Sequence, residues 1–547
     1  MLAEIECLPL GVGQNGEGIC LDLRLGQHHF LLDCGLKDLS SLELFARKLA
    51  AKEHHWSGLF CSHAHADHSR GIDALQAIAP DLPIYTSAVT AHLLTLNCPS
   101  ASLASIFPVD WGETIEIEPN LLIKLLPSGH LPGAASIWLT YCTQDQDYNV
   151  LYTGDFYISN SRLVQGLKLE QFRGSSLDVL ILEGSLGTTK HPHRRTQEQN
   201  LIHQINQAIA SGYSVLFPVP KVGIGQEILM LLRSHHAFTG KDLDIWIDRG
   251  IGTGCDLYME ILPYLPLSVQ NFAQHQSLFW DSRISPRIQS LDLINQSNYK
   301  SSNPAIILVD QDNDWLHDPK LQAQLKDQLQ GSNYQIFVPE QNLELKTELT
   351  NFHIPFSTYL LAEHSDISGT TQLIHNLKPQ HVVFIHGNSN YLADLANLDE
   401  LSNRYHIHCP SVSMNLELPL GDSLHISHPQ NQLSPYAGEL SELSSEVMLS
   451  LPIELTQDRR WLDFSDTGLI EARWQGEDLL IRGISPRELS QAVFNQRSPS
   501  KDSIQASCIS CRFYSGQFCL NRESPLAGMK VSSDAYCQGF EKIPADM

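Results

Sequence analysis

The stretch Ser62-His63-Ala64-His65-Ala66-Asp67-His68 decides the fold of this chain. It places three imidazoles and one carboxylate within six residues, directly after the apolar run 58–61. Imidazole and carboxylate are ligands that hold zinc while leaving coordination positions open, and this spacing on a strand-to-helix turn can serve two adjacent ions. The alternative is a solvated polar loop with incidental histidines. So many ligands in one short turn favour a binuclear metal site.

Five further strand-like runs end in a side chain that can bind metal or move a proton. Side chains just past strand ends gather at one edge of a sheet, so these distant residues are expected to meet. They are Asp33 after a hairpin over 18–32, His130 after 121–126, Asp155 after 150–153, Glu183 after 177–182 and His386 after 381–385. Each alone is usually structural, but together they complete a two-metal set.

Length and composition predict several globular domains. The chain has 547 residues, of which 42% are hydrophobic and 18% charged, and this length is too great for one core. Composition shifts at 427–436 and 495–507 indicate linkers. Between 183 and 352 strands alternate with helix-like segments, which include 198–210, 224–234 and 320–329. The predicted domains are a discontinuous one at 1–190 and 353–426, an insertion at 191–352, a small strand-rich domain at 437–495 and a cysteine module at 505–547.

The charge balance is the opposite of a general nucleic-acid binder's. There are 36 Lys and Arg against 61 Asp and Glu, which gives a formal net charge of −25. Contact with nucleic acid must therefore be local, and bound metal ions can supply part of the positive charge. Residues 1–13 lack a signal-peptide pattern, and no run approaches about eighteen apolar residues. A cytoplasmic protein without membrane contact is predicted, with a homo-oligomer possible and protein partners undetermined.

The motif from His63 to His68 resembles the HxHxDH motif of the metallo-β-lactamase superfamily. The resemblance implies an αββα sandwich whose binuclear site has seven ligands. One zinc ion is held by His63, His65 and His130, a second by Asp67, His68 and His386, and Asp155 bridges them. Asp33 is similar to the family's N-terminal aspartate, which orients the ligand loop.

Three segments resemble the β-CASP branch, which includes the nuclease of pre-mRNA 3′-end cleavage and bacterial ribonuclease J. Glu183 matches its motif A, His364 its motif B and His386-Gly387 its motif C. The likeness covers roughly residues 1–425 and implies an inserted α/β β-CASP domain and an RNA substrate. Asp67, His364 and Glu183 are the candidate catalytic residues. In this scheme a metal-bridged hydroxide attacks in line, while His364, oriented by Glu183, protonates the leaving 3′-oxygen.

Three segments bear on substrate contact, and no substrate-binding residue is assigned. The branch's Gly-Arg becomes Gly223-Ile224 or Gly225-Gln226 here, so a basic contact is missing. The acidic stretch 309–315 either repels a phosphate backbone or is a surface loop on an unrelated face. The segment 191–195 (HPHRR) is the best local basic candidate for a phosphate contact, with a solvated loop as the alternative.

Four cysteines near the C-terminus have the spacing C-x2-C-x7-C-x17-C, at Cys508, Cys511, Cys519 and Cys537. This spacing predicts a structural metal, with zinc the first choice, an iron–sulfur cluster the second and unliganded thiols the remaining alternative. The preceding strand-rich region has candidate strands at 461–464, 469–474 and 478–481, and no chemistry is assigned to it.

Three functions follow from these features. The first is a zinc-dependent phosphodiester hydrolase, a ribonuclease of RNA processing or decay. The alternative is a metallo-β-lactamase-fold hydrolase of a small ester or phosphoester, which the acidic charge and the altered loops favour. The second alternative is a scaffold subunit of an RNA-processing complex. A scaffold would tolerate lost ligands, whereas this sequence retains every ligand position, so the scaffold ranks last. The sequence does not distinguish endonuclease from exonuclease or RNA from DNA.

Overall fold

The structure, a computed structural model, describes residues 5–420 except 15–16, 51–54, 145, 282, 292–303, 314, 317 and 319–333. Beyond residue 420 it describes the segments 439–443, 446–450, 470–475, 478–483, 511–515 and 518–520. The chain divides into two compact units, residues 1–428 and 429–547, and each is described by itself.

The first sheet of the N-terminal unit has seven strands in the order β20-β1-β2-β3-β4-β5-β6. Strands β2 and β3 form the predicted hairpin, with Leu21 opposite Leu32, and β4 to β6 extend the sheet in parallel. The bounds are β1 Ile5–Val12, β2 Ile19–Leu25, β3 His28–Leu32, β4 Trp56–Phe60, β5 Ile84–Thr86, β6 Ile106–Pro108 and β20 Leu416–Glu417.

The second sheet also has seven strands, in the order β19-β18-β11-β10-β9-β8-β7. Strands β7 to β10 form an antiparallel meander, and β10, β11, β18 and β19 run parallel. The bounds are β7 Thr114–Glu118, β8 Leu121–Pro127, β9 Ala135–Cys142, β10 Asp147–Tyr152, β11 Val179–Glu183, β18 His381–Ile385 and β19 His406–His408.

The two sheets pack face to face, and helices cover both outer faces. Alternate side chains of one strand enter different cores, so Leu21 lies between the sheets and Cys20 lies under the outer helices. On the second sheet, Ile181 and Leu182 divide in the same way. The covering helices are α1 Ser40–Ala50, α2 Ala66–Ser69, α3 Ile72–Ile78, α4 Ala88–Leu93, α10 Ile367–Leu377, α11 Ser389–Ala396 and α12 Asp399–Ser402. The predicted αββα sandwich is confirmed.

A third sheet is formed by the part of the chain between β11 and β18. It has six parallel strands in the order β14-β13-β15-β12-β16-β17. Its strands are β12 Ser214–Val219, β13 Asp244–Ile247, β14 Arg287–Ser290, β15 Ile306–Asp310, β16 Tyr334–Pro339 and β17 Phe356–Tyr359. The accompanying helices are α5 Arg194–Ala210, α6 Ile224–Ser234, α7 Arg249–Glu260, α8 Leu267–His275 and α9 Leu343–Asn351. Single 3-10 turns lie at 94–96, 103–105, 169–172 and 262–264.

The insertion extends past its predicted end. Strand β17 pairs with β16 in the third sheet, whereas the prediction returns to the first domain at residue 353. The sequence does not show this end, because β17 is short and the sheet that it joins depends on the tertiary structure. The predicted helix at 224–234 is α6, and the one at 198–210 begins earlier, at Arg194. The helix-like segment 320–329 and both predicted linkers lie outside the described residues.

The C-terminal unit is described as three two-stranded hairpins. They are β21 Glu439–Leu443 with β22 Glu446–Ser450, β23 Ile470–Gln475 with β24 Asp478–Gly483, and β25 Tyr514–Ser515 with β26 Phe518–Cys519. The predicted strands at 469–474 and 478–481 correspond to β23 and β24. The candidate strand at 461–464, Cys508 and Cys537 lie outside the described residues. No helix in the described part of the chain is long and apolar enough to cross a membrane.

Candidate active site

The candidate site lies where several strands end at the same edge of the sandwich. Strands β8, β10, β11 and β18 run in the same direction, because β8 and β10 are both antiparallel to β9 and the others are parallel to β10. His386 directly follows β18, and Glu183 ends β11. His130 and Asp155 lie three residues past the ends of β8 and β10. The loop from His63, between β4 and α2, meets them from the first sheet.

One group of donor atoms contains three histidines and a carboxylate. His65 Nδ1 lies 3.2 Å from His63 Nε2 and 3.0 Å from His130 Nε2. Asp155 Oδ2 is 3.6 Å from His63 Nε2 and 3.7 Å from His130 Nε2. The four donor atoms all lie within 4.8 Å of one another, which is close enough to share one metal ion.

A second group contains Asp67, His68 and His386, again within 4.8 Å of one another. Asp67 Oδ2 lies 3.4 Å from His386 Nε2. Asp155 contacts this group too, because its Oδ2 is 3.4 Å from His68 Nε2 and its Oδ1 accepts a 2.6 Å hydrogen bond from His386 Nδ1. The structure thus brings together all seven predicted ligands, with Asp155 between the two groups.

The hydrogen bonds of His65 and His130 show that this set of side chains fits a cation. In each ring, the inner nitrogen (His65 Nδ1, His130 Nε2) belongs to the group of donor atoms and the other is the outer nitrogen. His65 Nε2 faces the carbonyl oxygen of Val222 at 3.2 Å, and His130 Nδ1 faces that of Glu363 at 2.9 Å. A carbonyl oxygen can only accept, so each of these nitrogens carries the proton. The inner nitrogens, 3.0 Å apart, then both present lone pairs and have no proton to share. A divalent metal ion between them would remove this repulsion.

In the second group, the hydrogen bonds of His68 also indicate a place for a cation. Its Nδ1 donates to Asp33 Oδ2 at 2.7 Å, whereas its buried Nε2 has no hydrogen-bond partner among the described residues. A buried polar nitrogen without a partner is costly unless another group satisfies it. The structure therefore supports a site for divalent metal.

Asp33 lies beside the loop that carries the candidate ligands and accepts hydrogen bonds from it. Its carboxylate accepts hydrogen bonds from Ser62 N at 2.6 Å, Ser62 Oγ at 2.7 Å and Tyr152 OH at 2.5 Å, besides the bond from His68. The residue is fully buried and has a φ of 57°. Tyr152 was not predicted from the sequence, because a buried tyrosine at the end of β10 is part of no motif.

Burial and charge act in opposite directions on this cluster. Burial lowers the pKa of His63, His65 and His130, which favours the neutral form that binds metal. Burial raises the pKa of Asp155, but the neighbouring His386 and His68 lower it more, and it lies well below its usual range. The carboxylate is therefore charged and available to a cation.

His364 and Glu183 form a separate pair beside the metal ligands. His364 Nδ1 lies 2.7 Å from Glu183 Oε2 and 3.9 Å from Asp155 Oδ2. The Glu183 carboxylate also accepts from Phe156 N at 2.7 Å and Ser185 Oγ at 2.5 Å. Burial lowers the pKa of His364, but Glu183 raises it more, to about 9. The imidazole is thus held in one orientation with Nδ1 bonded.

Two of the segments that the sequence analysis weighed for substrate contact have their key side chains buried. The HPHRR segment (191–195) was predicted to be either a phosphate contact or a solvated loop. Arg194 fits neither prediction, because its side chain is 9% exposed and bonded to Glu227. The residue lies at the start of α5, where tertiary packing covers it. Gln226 is also buried, and it donates to the Lys221 carbonyl oxygen at 2.9 Å.

The acidic stretch 309–315 is buried at some positions and exposed at others. Asp310 ends β15 and is fully buried, and Trp315 is 3% exposed. The Asp310 backbone amide donates to Asp248 Oδ2 at 2.6 Å. Asp312 and Asn313 are exposed, so both alternatives stay open for them, whereas tertiary packing excludes both for Asp310 and Trp315.

The comparison with known proteins agrees with this fold and site. Residues 28–210 match the Beta-lactamase superfamily domain. An uncharacterized protein of Synechocystis sp. is 41% identical over 99% of this chain and 97% of its own length. The chain therefore belongs to the metallo-β-lactamase superfamily, and the resemblance predicted from its motifs is confirmed.

Two further relatives have names that refer to RNA or to a large assembly. The Integrator complex subunit 11 of Danio rerio is 21% identical over 75% of this chain and 73% of that protein. An RNase J-like protein of Methanocaldococcus jannaschii is 27% identical, over 47% of this chain and 61% of that protein.

Proposed function

We propose that this chain is a zinc-dependent phosphodiester hydrolase that cleaves RNA in cytoplasmic RNA processing or decay. The observation that carries the proposal is the hydrogen-bonded pair of His364 and Glu183 beside two ligand groups that share Asp155. This arrangement combines a place for metal with a positioned proton donor. The name of the RNase J-like relative supports an RNA substrate.

Imidazole nitrogens and carboxylate oxygens are a donor set that suits zinc. His63, His65 and His130 would hold one ion, Asp67, His68 and His386 a second, and Asp155 would contact both. Bound zinc would lower the pKa of a water molecule to ~7. It would also supply positive charge for a phosphate group. This local charge would offset part of the net charge of −25, which otherwise disfavours a nucleic acid.

The protein's own contribution to bond cleavage is the placement of a proton. His364 donates a hydrogen bond from Nδ1 to Glu183, and Glu183 raises the pKa of the imidazole to about 9. At neutral pH Nε2 therefore also carries a proton, and this proton can be transferred. Glu183 is itself fixed by Phe156 N and Ser185 Oγ and keeps the imidazole in one orientation. His364 would protonate the leaving 3′-oxygen of RNA, which is too basic to leave readily as an anion.

The remaining assignments rest on sequence patterns. We propose that residues 1–190 and the segment after β17 form the metallo-β-lactamase domain, with a β-CASP-like insertion between them. The regions 437–495 and 505–547 would form two small domains. Cys508, Cys511, Cys519 and Cys537 would bind a structural zinc ion or an iron–sulfur cluster, as their spacing indicates.

A second candidate function is the hydrolysis of a small ester or phosphoester. The burial of Arg194 and Gln226 favours it, because neither side chain can then contact an RNA backbone. A small substrate needs only the metal site and, where its leaving group is basic, the His364–Glu183 pair.

The test is cleavage by the zinc-loaded protein of end-labelled RNA, single-stranded DNA and bis(p-nitrophenyl) phosphate. His65→Ala removes a ligand, and His203→Ala is the matched control because His203 is exposed on α5. RNA cleavage is expected from the native chain and His203→Ala, with a loss in His65→Ala beyond the roughly 10–100-fold typical of a residue that only orients a ligand.

The other outcomes separate the candidates. Cleavage of the small diester alone would replace the ribonuclease by the second function. Equal RNA cleavage by His65→Ala would reveal a contaminating nuclease, and no cleavage of any substrate would overturn the hydrolase proposal. The fragment pattern separates endonuclease from exonuclease.

A further inference from the structure

The first turn of α5 holds the backbone of the loop that carries His364. Arg194 Nη1 donates to the carbonyl oxygen of Ala362 at 2.6 Å, and Gln197 Oε1 accepts from the Ala362 amide at 2.8 Å. Both polar backbone groups of Ala362 are thus bonded to one helix turn, two residues before His364. We propose that Arg194 and Gln197 are positioning residues for His364, an inference that rests on the proposed function.

The guanidinium of Arg194 is itself rigidly held. Its Nη2 donates to Glu227 Oε2 at 2.9 Å, and its Nε lies 3.5 Å from Glu198 Oε1. The Nη1 and Nη2 atoms belong to one planar fork, so the bond to Glu227 fixes the direction of the bond to Ala362. Lysine, with a single flexible ammonium, could keep the charge near Glu227 without this geometry.

Glu227 also connects this helix turn to the loop that follows Asp155. Its carboxylate accepts from Ser161 Oγ at 2.7 Å, Arg162 N at 3.0 Å and Leu163 N at 2.8 Å. Glu227 lies on α6 of the insertion and is nearly fully buried. One carboxylate therefore joins two helices of the insertion to the sandwich, and Arg194 extends this connection to the His364 loop.

The sandwich fixes the other side of the same loop. Glu363 O faces His130 Nδ1 at 2.9 Å, and Ser365 N donates to Phe156 O at 3.0 Å. Ser365 Oγ accepts from Ile158 N at 3.1 Å. The helix turn of the insertion anchors the loop before His364, and the sandwich anchors it around and after that residue. The insertion therefore sets where the proton donor stands, and a misplacement of about 1 Å there can cost on the order of 100-fold in rate.

The leaving group distinguishes positioning of a proton donor from general structural support. A ribose 3′-oxygen needs a proton as it leaves, whereas p-nitrophenolate is stable as an anion and needs none. Arg194→Lys and Gln197→Met are expected to lower kcat on RNA about 10–100-fold. On bis(p-nitrophenyl) phosphate the same variants are expected to stay within about twofold of the native chain.

Two controls sharpen this comparison. Arg47→Lys changes an arginine of α1 whose side chain is 81% exposed and which lies outside the segment 191–195, and it is expected to leave both rates unchanged. In a His364→Ala background, Arg194→Lys is expected to cause no further loss on RNA, because the group it positions is already absent. An equal loss on both substrates, or an additive loss in the double variant, would overturn the positioning role.

Amide hydrogen exchange tests the contact without any substrate. The Ala362 amide is expected to exchange faster in Gln197→Met than in the native chain, because its acceptor is removed. Unchanged exchange would overturn the inference. If the native chain cleaves neither RNA nor the activated diester, the proposed function fails, and the exchange result alone then decides whether α5 holds this loop.

Discussion

At the scale of single residues, burial decides what an acidic side chain does in this chain. Asp310 belongs to an acidic stretch, yet it is fully buried at the end of β15. Burial raises its pKa to about 6 and the charges of Asp312 and Asp248 add to this effect. The hydrogen bond from the Asp312 amide and the charge of Lys221, with Nζ 4.0 Å away, lower the pKa. Its Oδ2 has no hydrogen-bond partner among the described residues. This carboxyl group therefore resists ionisation in the folded chain.

The raised pKa predicts a pH-dependent effect of Asp310→Asn. Below about pH 4, Asp310 is protonated in both the folded and the unfolded chain. The protonated side chain then makes its full contribution to the free energy of unfolding. As the pH rises toward about 6, the unfolded chain loses this proton first, and the contribution is lost. Asparagine does not ionise, so the free energy of unfolding of Asp310→Asn, relative to the native chain, is expected to increase between about pH 4 and 7.

Denaturant unfolding at several pH values measures this difference. Asp81→Asn, the same substitution at an exposed position, is the matched control. A flat difference for Asp310→Asn would show that the buried carboxyl group ionises as easily as an exposed one.

At the scale of elements, the residue before α6 allows this helix to lie against His65, one of the candidate metal ligands. Gly223 has a φ of 103° and a ψ of −116°, a conformation that side-chain-bearing residues avoid. An added Cβ would lie 2.9 Å from Leu131 Cδ2 and 3.2 Å from His65 Nε2. The helix start can therefore approach His65 closely only because residue 223 is glycine.

Gly223→Ala is expected to destabilise the chain and to weaken zinc binding, because the new methyl group displaces His65. Gly240→Ala is the matched control. Gly240 has a φ of 77°, and its added Cβ would meet no described atom within 4 Å. It should lose roughly 1–2 kcal/mol of unfolding free energy from backbone strain, without a change in zinc affinity. Denaturant unfolding and zinc competition titrations measure both effects, and equal zinc affinity in the two variants would contradict the expectation.

At the scale of the whole N-terminal unit, the candidate metal ligands connect both sheets of the sandwich. His63 to His68 follow a strand of the first sheet, and His130, Asp155 and His386 follow strands of the second. Bound metal would link these sheets, and a ligand that binds only the folded chain stabilises it by mass action.

Removal of metal is therefore expected to lower the unfolding temperature. Zinc at about a thousandfold excess over its dissociation constant contributes roughly 4 kcal/mol, which a chelator should abolish. Calorimetry with zinc and with chelator measures the shift, and His65→Ala should show a smaller one. An identical unfolding temperature in both conditions would contradict a metal site that spans the sheets.

The sequence by itself determined which residues gather at the sheet edge, and its resemblance to a known superfamily implied the sandwich. The motif from His63 to His68 and the strand ends before His130, Asp155 and His386 could be recognised because strand alternation and ligand spacing are local properties. The pair of Glu183 and His364 could be found as well, since both positions match recognisable motifs, and the structure places them 2.7 Å apart.

Only the tertiary structure decided which polar residues remain available to a substrate. Arg194, in a basic segment, is turned inward to Ala362 and Glu227, and Asp310, in an acidic stretch, is buried. The carbonyl oxygen of Val222, which fixes the tautomer of His65, belongs to a backbone group that any residue could supply. Burial and backbone hydrogen bonds depend on contacts between residues far apart in the chain, and for that reason local sequence patterns do not encode them.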